Sequence, residues 1–257
     1  MSRMPAVFIG HGSPMNALEN NRFTEAWHDL ARSIPVPRAI LAVSAHWLVN
    51  TTAVTAMARP RTIHDFFGFP DRLFAFDYPA PGSAEVAAEV AAALSPSWVG
   101  LDHDSWGLDH GTWSVLAHMY PSADVPVLQL SLDSTKSMDE HMELGRRLDA
   151  LRESGVLVLG SGNVVHNLSR IDWAAGESGF PWAVEFDSHV RSVMTADPAA
   201  LADVASHPAY AASVPTTEHL LPLLYLAGIA AESGSVAEVL VGGCAMGSLS
   251  MTSYVVC

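Results

Sequence analysis

The sequence predicts an α/β fold: one domain over residues 1–257, with a mostly parallel central sheet covered by helices on both faces. Three observations carry that expectation. Short runs such as Ala6–Gly10 and Ala39–Val43 are continuously apolar instead of alternating, the pattern of strands buried on both faces. Segments of helical period stand between these runs, so strands and helices alternate along the chain. Hydrophobic residues make up 49% of the chain and charged residues 16%, which gives enough apolar surface for a large core and too little charge for disorder. No repeat, low-complexity tract or linker divides the chain.

The elements follow in order. Ala6–Gly10 reads as the first buried strand, and Arg22 to Ser33 as a helix stopped by Ile34-Pro35, because the residue before proline is pushed out of the helical region. Ala39 to Ser44 is a second buried strand, and the β-branched run Thr51 to Met57 a third. The segment HDFFGFPDRLFAFDYPAPG, beginning at His64, is aromatic, holds three prolines and two glycines, and has no clean period; it reads as a long ordered loop, a kind of segment that is usually functional. Ser83 caps an alanine-rich helix to Leu94. Val125 to Ser131 is a strand. Ser137 to Ser154 is an amphipathic helix with Met138, Met142, Leu144, Leu148 and Leu151 turned inward. Val156 to Gly160 is a short buried strand. Pro181 to Ala196 and much of Thr216 to Gly228 are helical, and Val236 to Val241 and Ser248 to Val256 finish the sheet.

Composition narrows the function classes. Lys+Arg 13 against Asp+Glu 27 gives a formal charge of −14, which repels phosphate backbones and anionic lipid, so neither nucleic acid nor a membrane surface is expected as a partner. No apolar run approaches the roughly 20 residues needed to span a bilayer, and the start MSRMPAVFIGHGSP lacks the form of a secretory signal. Cys244 and Cys257, the 2 cysteines, form no Cys-x-x-Cys, which argues against a disulfide framework or a cysteine-rich zinc site. A cytoplasmic location is expected by default. The oligomeric state is left open, a homodimer included.

Histidine stands out, with 12 residues against 13 Lys and Arg together. In open α/β sheets ligands bind beyond the carboxyl ends of the strands, and three predicted strands run into histidine there: Gly10-His11-Gly12, Ser44-Ala45-His46-Trp47, and Gly160-Ser161-Gly162-Asn163-Val164-Val165-His166. His110, in Leu108-Asp109-His110-Gly111, sits in a tight loop before a helix, where Asp109 can orient its ring. His219 falls in a first helical turn capped by Thr216 or Thr217, where the dipole favours neutral imidazole, the metal-binding form. Each has an ordinary reading: His11 a turn residue, His46 a hydrogen-bonded core residue, His166 a cap, His110 a partner of Asp109. Together, at strand-to-loop or loop-to-helix boundaries, they point to a metal site. His28, His118, His141 and His189 lie in helical patterns and are expected at the surface or its boundary. His207 precedes Pro208 in a loop, and His64 and His103 are further candidates for the cleft. Two other motifs fail: the run from Gly160 carries Val165 where a dinucleotide loop needs its last glycine, and Ser13 lacks the spacing of a nucleophile elbow.

The motifs GHGSP, SAHW, HDFFGFP, LDHGTW, GSGNVVHNL and TEHLLPL, in that order, resemble the LigB-type class III extradiol ring-cleavage dioxygenases, and among them most the 4,5-DOPA dioxygenase group. The likeness runs over essentially the whole chain. It implies a non-haem Fe(II) enzyme that opens a catechol ring beside its two hydroxyls with O₂ to give a muconic semialdehyde, with Zn(II) a plausible occupant of the same site. It implies His11, His46 and His219 as metal ligands, with Glu218 in reserve because many members use glutamate there. It implies His166 as the active-site base and as a fourth ligand when zinc is bound, and His110 as a second catalytic histidine. Phe67, Phe69 and Trp47 are expected against the substrate ring, with Trp106 and Trp113 as further candidates; the alternative is that these aromatics only seal the core. Arg59 or Arg61 is the candidate partner for an amino acid side chain on the substrate. Two other functions use the same histidines: a zinc-dependent hydrolase with metal-bound water as nucleophile, and a metal- or small-molecule-binding protein without turnover.

Overall fold

The computed structural model describes residues 3–257; Met1 and Ser2, the first two residues of the expected domain, lie outside the described residues. The strands are β1 Ala6–Gly10, β2 Ala39–Val49, β3 Ala53–Thr55, β4 Gly100–Asp102, β5 Val127–Asp133, β6 Val156–Gly162, β7 Glu238–Val241, β8 Cys244–Ala245, β9 Leu249–Ser250 and β10 Ser253–Val256. The α-helices are α1 Arg22–Ser33, α2 Asp71–Phe74, α3 Ala84–Ala93, α4 His110–Met119, α5 Met138–Glu153, α6 Pro181–Ala196, α7 Tyr210–Ser213 and α8 Leu221–Ser233. Eight strands form one sheet in the order β4-β3-β5-β2-β6-β1-β10-β7. The centre, β5-β2-β6-β1, is parallel. Antiparallel junctions close it on both sides, β3 on β5 and β10 on β1. The fold is therefore the expected α/β architecture.

Strand parity divides the core into two layers. Ala6, Phe8, Ala39, Leu41 and Val43 pack with α3, α5, α6 and α8 on one face. Val7, Ile9, Ile40 and Ala42 pack with Trp27 of α1 and Trp113 of α4 on the other. Because both faces are covered, every residue of β1, β5 and β6 is buried. Local chemistry starts the helices: Asn21 and Thr24 form a capping box on α1, Ser137 and Glu140 another on α5, and Ser83 caps α3.

The structure corrects several expectations. β2 does not end at Ser44 but runs on to Val49. Its register against β5 jumps between Val43 and Leu48, whose partners Leu130 and Leu132 are only two residues apart. Such a bulge keeps a strand going while re-aiming its side chains. The expected strand Thr51 to Met57 shrinks to β3. The run Ser248 to Val256 divides: β9 pairs with β8 in a small separate sheet, and only β10 joins the main one. The long loop contains one helical turn, α2. His141, expected at the surface, is fully buried, with Nδ1 3.1 Å from the Tyr225 hydroxyl. Among the described residues no helix is long and apolar enough to cross a membrane.

Leu41 lies wholly buried in β2, between its two sheet neighbours. Truncation there leaves a cavity that the packed layers cannot fill. Leu41→Ala should cost about 2–5 kcal/mol of stability, measured by chemical denaturation.

Candidate metal and catalytic site

The carboxyl edge of the parallel strands brings the five histidines together. His11 directly follows β1, and its N–H continues the ladder to Gly162 O at 3.0 Å. His46 lies on the bulged end of β2. His166 follows β6, with its N–H donating to Ser213 O at 2.9 Å. His110 is the first residue of α4, capped by Asp109. His219 stands in the turn just before α8, not inside its first turn as expected, and its carbonyl accepts from Asn163 N at 2.9 Å. Two glycines permit this closeness. A Cβ on Gly162 would sit 2.1 Å from His219 O, and one on Gly111 would sit 2.7 Å from Ser44 Oγ and 2.9 Å from His46 Cδ2.

All five rings line one cavity of about 420 Å³, together with Phe66, Phe67, Phe69, Leu168, Ile171 and Trp173. His11, His46 and His110 offer ring nitrogens that lie within 4.8 Å of one another, and His166, Glu218 and His219 form a second such group. The two groups adjoin: the His219 ring is 5.4 Å from His11 and 5.1 Å from His46, and stacks on His166 at 3.4 Å. The group around His11 and His46 thus contains His110 where the resemblance implied His219, while His219 falls in the adjoining group.

The Nδ1 atoms face oxygen. His11 Nδ1 is 2.9 Å from Ser161 Oγ, which donates its own proton to Gly111 O at 2.6 Å and so accepts from the imidazole. His110 Nδ1 is 2.8 Å from Asp65 Oδ1, and His46 Nδ1 is 3.2 Å from Asp65 Oδ2. His219 Nδ1 is 3.2 Å from Glu218 Oε1, which also accepts from Thr216 Oγ1. A proton held on Nδ1 leaves Nε2 as the free lone pair, the arrangement typical of metal-binding histidine.

The residues fit a divalent metal. His11 Nε2 and His46 Nε2 are 3.3 Å apart, the span of two metal–nitrogen bonds of about 2.1 Å meeting at roughly 100°. With both protons on Nδ1, those two lone pairs repel unless a cation lies between them. Among the described residues the buried Nε2 of His219 has no hydrogen-bond partner. Charge follows the same logic. Burial, reinforced by the neighbouring imidazoles, pushes His11 and His219 well below the usual histidine range. Burial and His110 lower His46 to about 3, against the pull of Asp65. Burial lowers His166 to about 4. Burial is the largest single influence on Asp65 and opposes its ionisation, but the hydrogen bonds from the His110 ring and backbone N–H and the charge interactions with His110 and His46 together overcome it and hold the carboxyl at about 2. The result is a set of neutral nitrogen donors beside one fixed carboxylate.

The other candidates separate. Phe67 and Phe69 line the cavity, with Phe67 at its mouth and 92% exposed. Phe66, which packs edge-on to His110 at 5.6 Å, lines it too. Trp47 does not; it is buried and stacks on Trp106 at 5.6 Å. Trp113 is core. Arg59 and Arg61 are exposed and away from the cavity, and Arg61 donates to Ser105 O. No Lys or Arg occurs among the described lining residues. His103 is exposed, and His64 is tied to Phe76 O at 2.8 Å. Asp109 does not orient His110: it is buried, caps α4, and accepts from Ser44 and Gln129. Asp65 takes that place. Asp65 is hard to single out from sequence because it reaches the site across a loop; its position after His64, leading an aromatic run, is the available signal.

Comparison with known proteins gives the class. Residues 4–256 match the family described as the catalytic LigB subunit of aromatic ring-opening dioxygenase, and the chain belongs to this family of enzymes. Within it, a protein of Escherichia coli K12 named 4,5-DOPA dioxygenase extradiol is 48% identical over 98% of this chain and 94% of its own. A protein of the same name from Beta vulgaris is 37% identical over 96% of this chain and 94% of its own. A crystal structure of an uncharacterized protein from Escherichia coli K12 superposes with a TM-score of 0.87 at 44% identity, covering 99% of this chain and 100% of that one.

The lowered histidines set a pH dependence. The folded chain keeps them neutral where unfolded histidine, near 6.5, takes up protons. The unfolded state therefore binds more protons as pH falls below that value, and stability is lost. The melting temperature of metal-free protein should fall steadily from about pH 7 to about pH 5, measured by calorimetry.

Proposed function

We propose that this chain is a non-haem Fe(II)-dependent extradiol dioxygenase that opens a catechol ring, DOPA-like substrates included, with O₂ to a muconic semialdehyde. The observation that carries the proposal is the convergence of five imidazoles on one cavity with an aromatic wall. The names of its relatives support the substrate class.

In this reading His11, His46 and His219 would hold the metal through Nε2. The unpartnered Nε2 of His219 and the carboxylate at its Nδ1 favour it as third ligand, and Glu218 supports it from behind. Bound Fe(II) supplies the redox-active centre through which a catecholate gives electron density to O₂, which Zn(II), suited to the same donors, cannot do.

The chain's own groups do the rest. Phe66 and Phe69 hold a flat ring and keep water from the rings behind it. His166, neutral at physiological pH, takes one catechol proton, a role typically worth about 10²–10⁴-fold. His110, held by Asp65 at its Nδ1, accepts the other on Nε2 and returns it to the product as the ring opens. Recognition centres on the diol and ring, since no Lys or Arg occurs among the described residues that line the cavity.

Iron-loaded protein given DOPA should consume O₂ and form a yellow product, while zinc-loaded protein should do neither, followed with an oxygen electrode and by absorbance. No uptake across a panel of catechols would sink the proposal, and O₂-independent ester hydrolysis by the zinc form would put a hydrolase in its place. The ligand assignment has its own test by elemental analysis. His219→Ala should lose bound metal while His110→Ala retains it; the reverse result would move the third ligand to His110.

A further inference from the structure

Asp65 touches two of the five imidazoles from a loop outside the sheet. Its Oδ1 accepts from His110 Nδ1 at 2.8 Å and from the His110 backbone N–H at 3.1 Å, and its Oδ2 lies 3.2 Å from His46 Nδ1. The residue sits exposed on its loop, yet the side chain is turned inward and only 18% exposed. The backbone on either side is fixed. Ile63 N donates to Leu108 O at 2.7 Å, Ile63 O accepts from Trp113 Nε1 at 2.8 Å, and Phe66 packs on Trp113 at 6.0 Å.

We infer that Asp65 is a positioning residue that fixes the tautomers of His46 and His110 together, holding both protons on Nδ1 and so presenting both Nε2 lone pairs to the cavity. A carboxylate has only acceptors. A bare Nδ1 facing it would set lone pair against negative charge, so each ring must turn a proton toward Asp65. For His46 the alternative is real: with its proton on Nε2 it would donate to His11 Nε2, 3.3 Å away, and would be closed to a metal. Asp65 decides between the two. The aromatic loop then does more than wall the cavity, since it carries the group that makes a strand histidine competent to bind metal. The inference rests on the proposed metal site, but the tautomers can be read without any metal.

The test compares metal-free wild-type protein with Asp65→Asn and Asp65→Ala. Long-range proton–nitrogen NMR of the imidazole rings, assigned with His46→Gln and His110→Gln, should show Nδ1–H for both rings in the wild type. An asparagine amide accepts on one side and donates on the other. With its oxygen toward the two His110 donors, its NH₂ faces His46 and drives that proton to Nε2. Zn(II) affinity, by competition with a chromophoric chelator, should therefore fall about 10–100-fold in Asp65→Asn, the range for an outer partner of a metal ligand, and fall less in Asp65→Ala, which leaves the tautomer free. A residue serving only to pack the loop would tolerate the near-isosteric asparagine better than alanine. Nε2–H on either ring of the wild type, wild-type affinity in Asp65→Asn, or equal losses in the two variants would overturn the inference. Nδ1–H on both rings with no Zn(II) binding in the wild type would instead count against the metal site itself.

Discussion

The site depends on one constraint: what each imidazole does with Nδ1. Ser161 faces that atom of His11, Asp65 faces it in His46 and His110, and Glu218 faces it in His219. An imidazole has one proton when neutral, and an oxygen acceptor at Nδ1 decides where that proton sits. The lone pairs left over all turn inward, at a spacing suited to a cation. Remove the oxygen partners and the same five rings become a cluster of buried groups competing for hydrogen bonds, which is costly in a low-dielectric interior.

The sheet supplies the precision this requires. Four parallel strands end at one edge, and the ladder from Gly10 to Gly162 sets His11 against the end of β6. β2 contributes differently. Its bulge lets Ser44 reach Asp109 while His46 reaches the cavity, and Gly111 lets α4 come close enough for both. A ligand on a strand is held better than one on a loop, so it matters that His46 remains in the strand. Asp109, fully buried, joins β2, β5 and α4 through Ser44 and Gln129. It serves the scaffold of the site, while the exposed loop brings the carboxylate that touches the histidines.

Polarity divides the cavity by depth. Neutral nitrogens occupy its floor, aromatic and aliphatic side chains its walls and mouth, and Phe67, Leu168 and Trp173 are largely exposed around the opening. Although the whole chain carries a net charge of −14, two carboxylates touch the rings of the floor, Asp65 from the loop and Glu218 beside His219. That suits a ligand which arrives neutral and gives up protons only once it is inside.

Much of this was legible in the text of the chain. Continuous apolar runs determined a sheet buried on both faces, because no half-exposed strand tolerates such a run. The cap Ser83 marked the start of one helix, because an unpaired N–H has few local remedies. The strand-end histidines could be picked out because parallel strands share an edge. Other things were decided only in three dimensions. Trp47 turns from the cavity to Trp106, β2 continues past Ser44, and Ser248 to Val256 splits between two sheets. Asp65 displaces Asp109 as the partner of His110, though Asp109 is its neighbour in sequence. The physical reason is common to all of these: burial periodicity and caps are local and one-dimensional, whereas the partner of a particular ring nitrogen depends on which distant backbone can approach, and glycine contacts and bulges set that approach only when the layers pack.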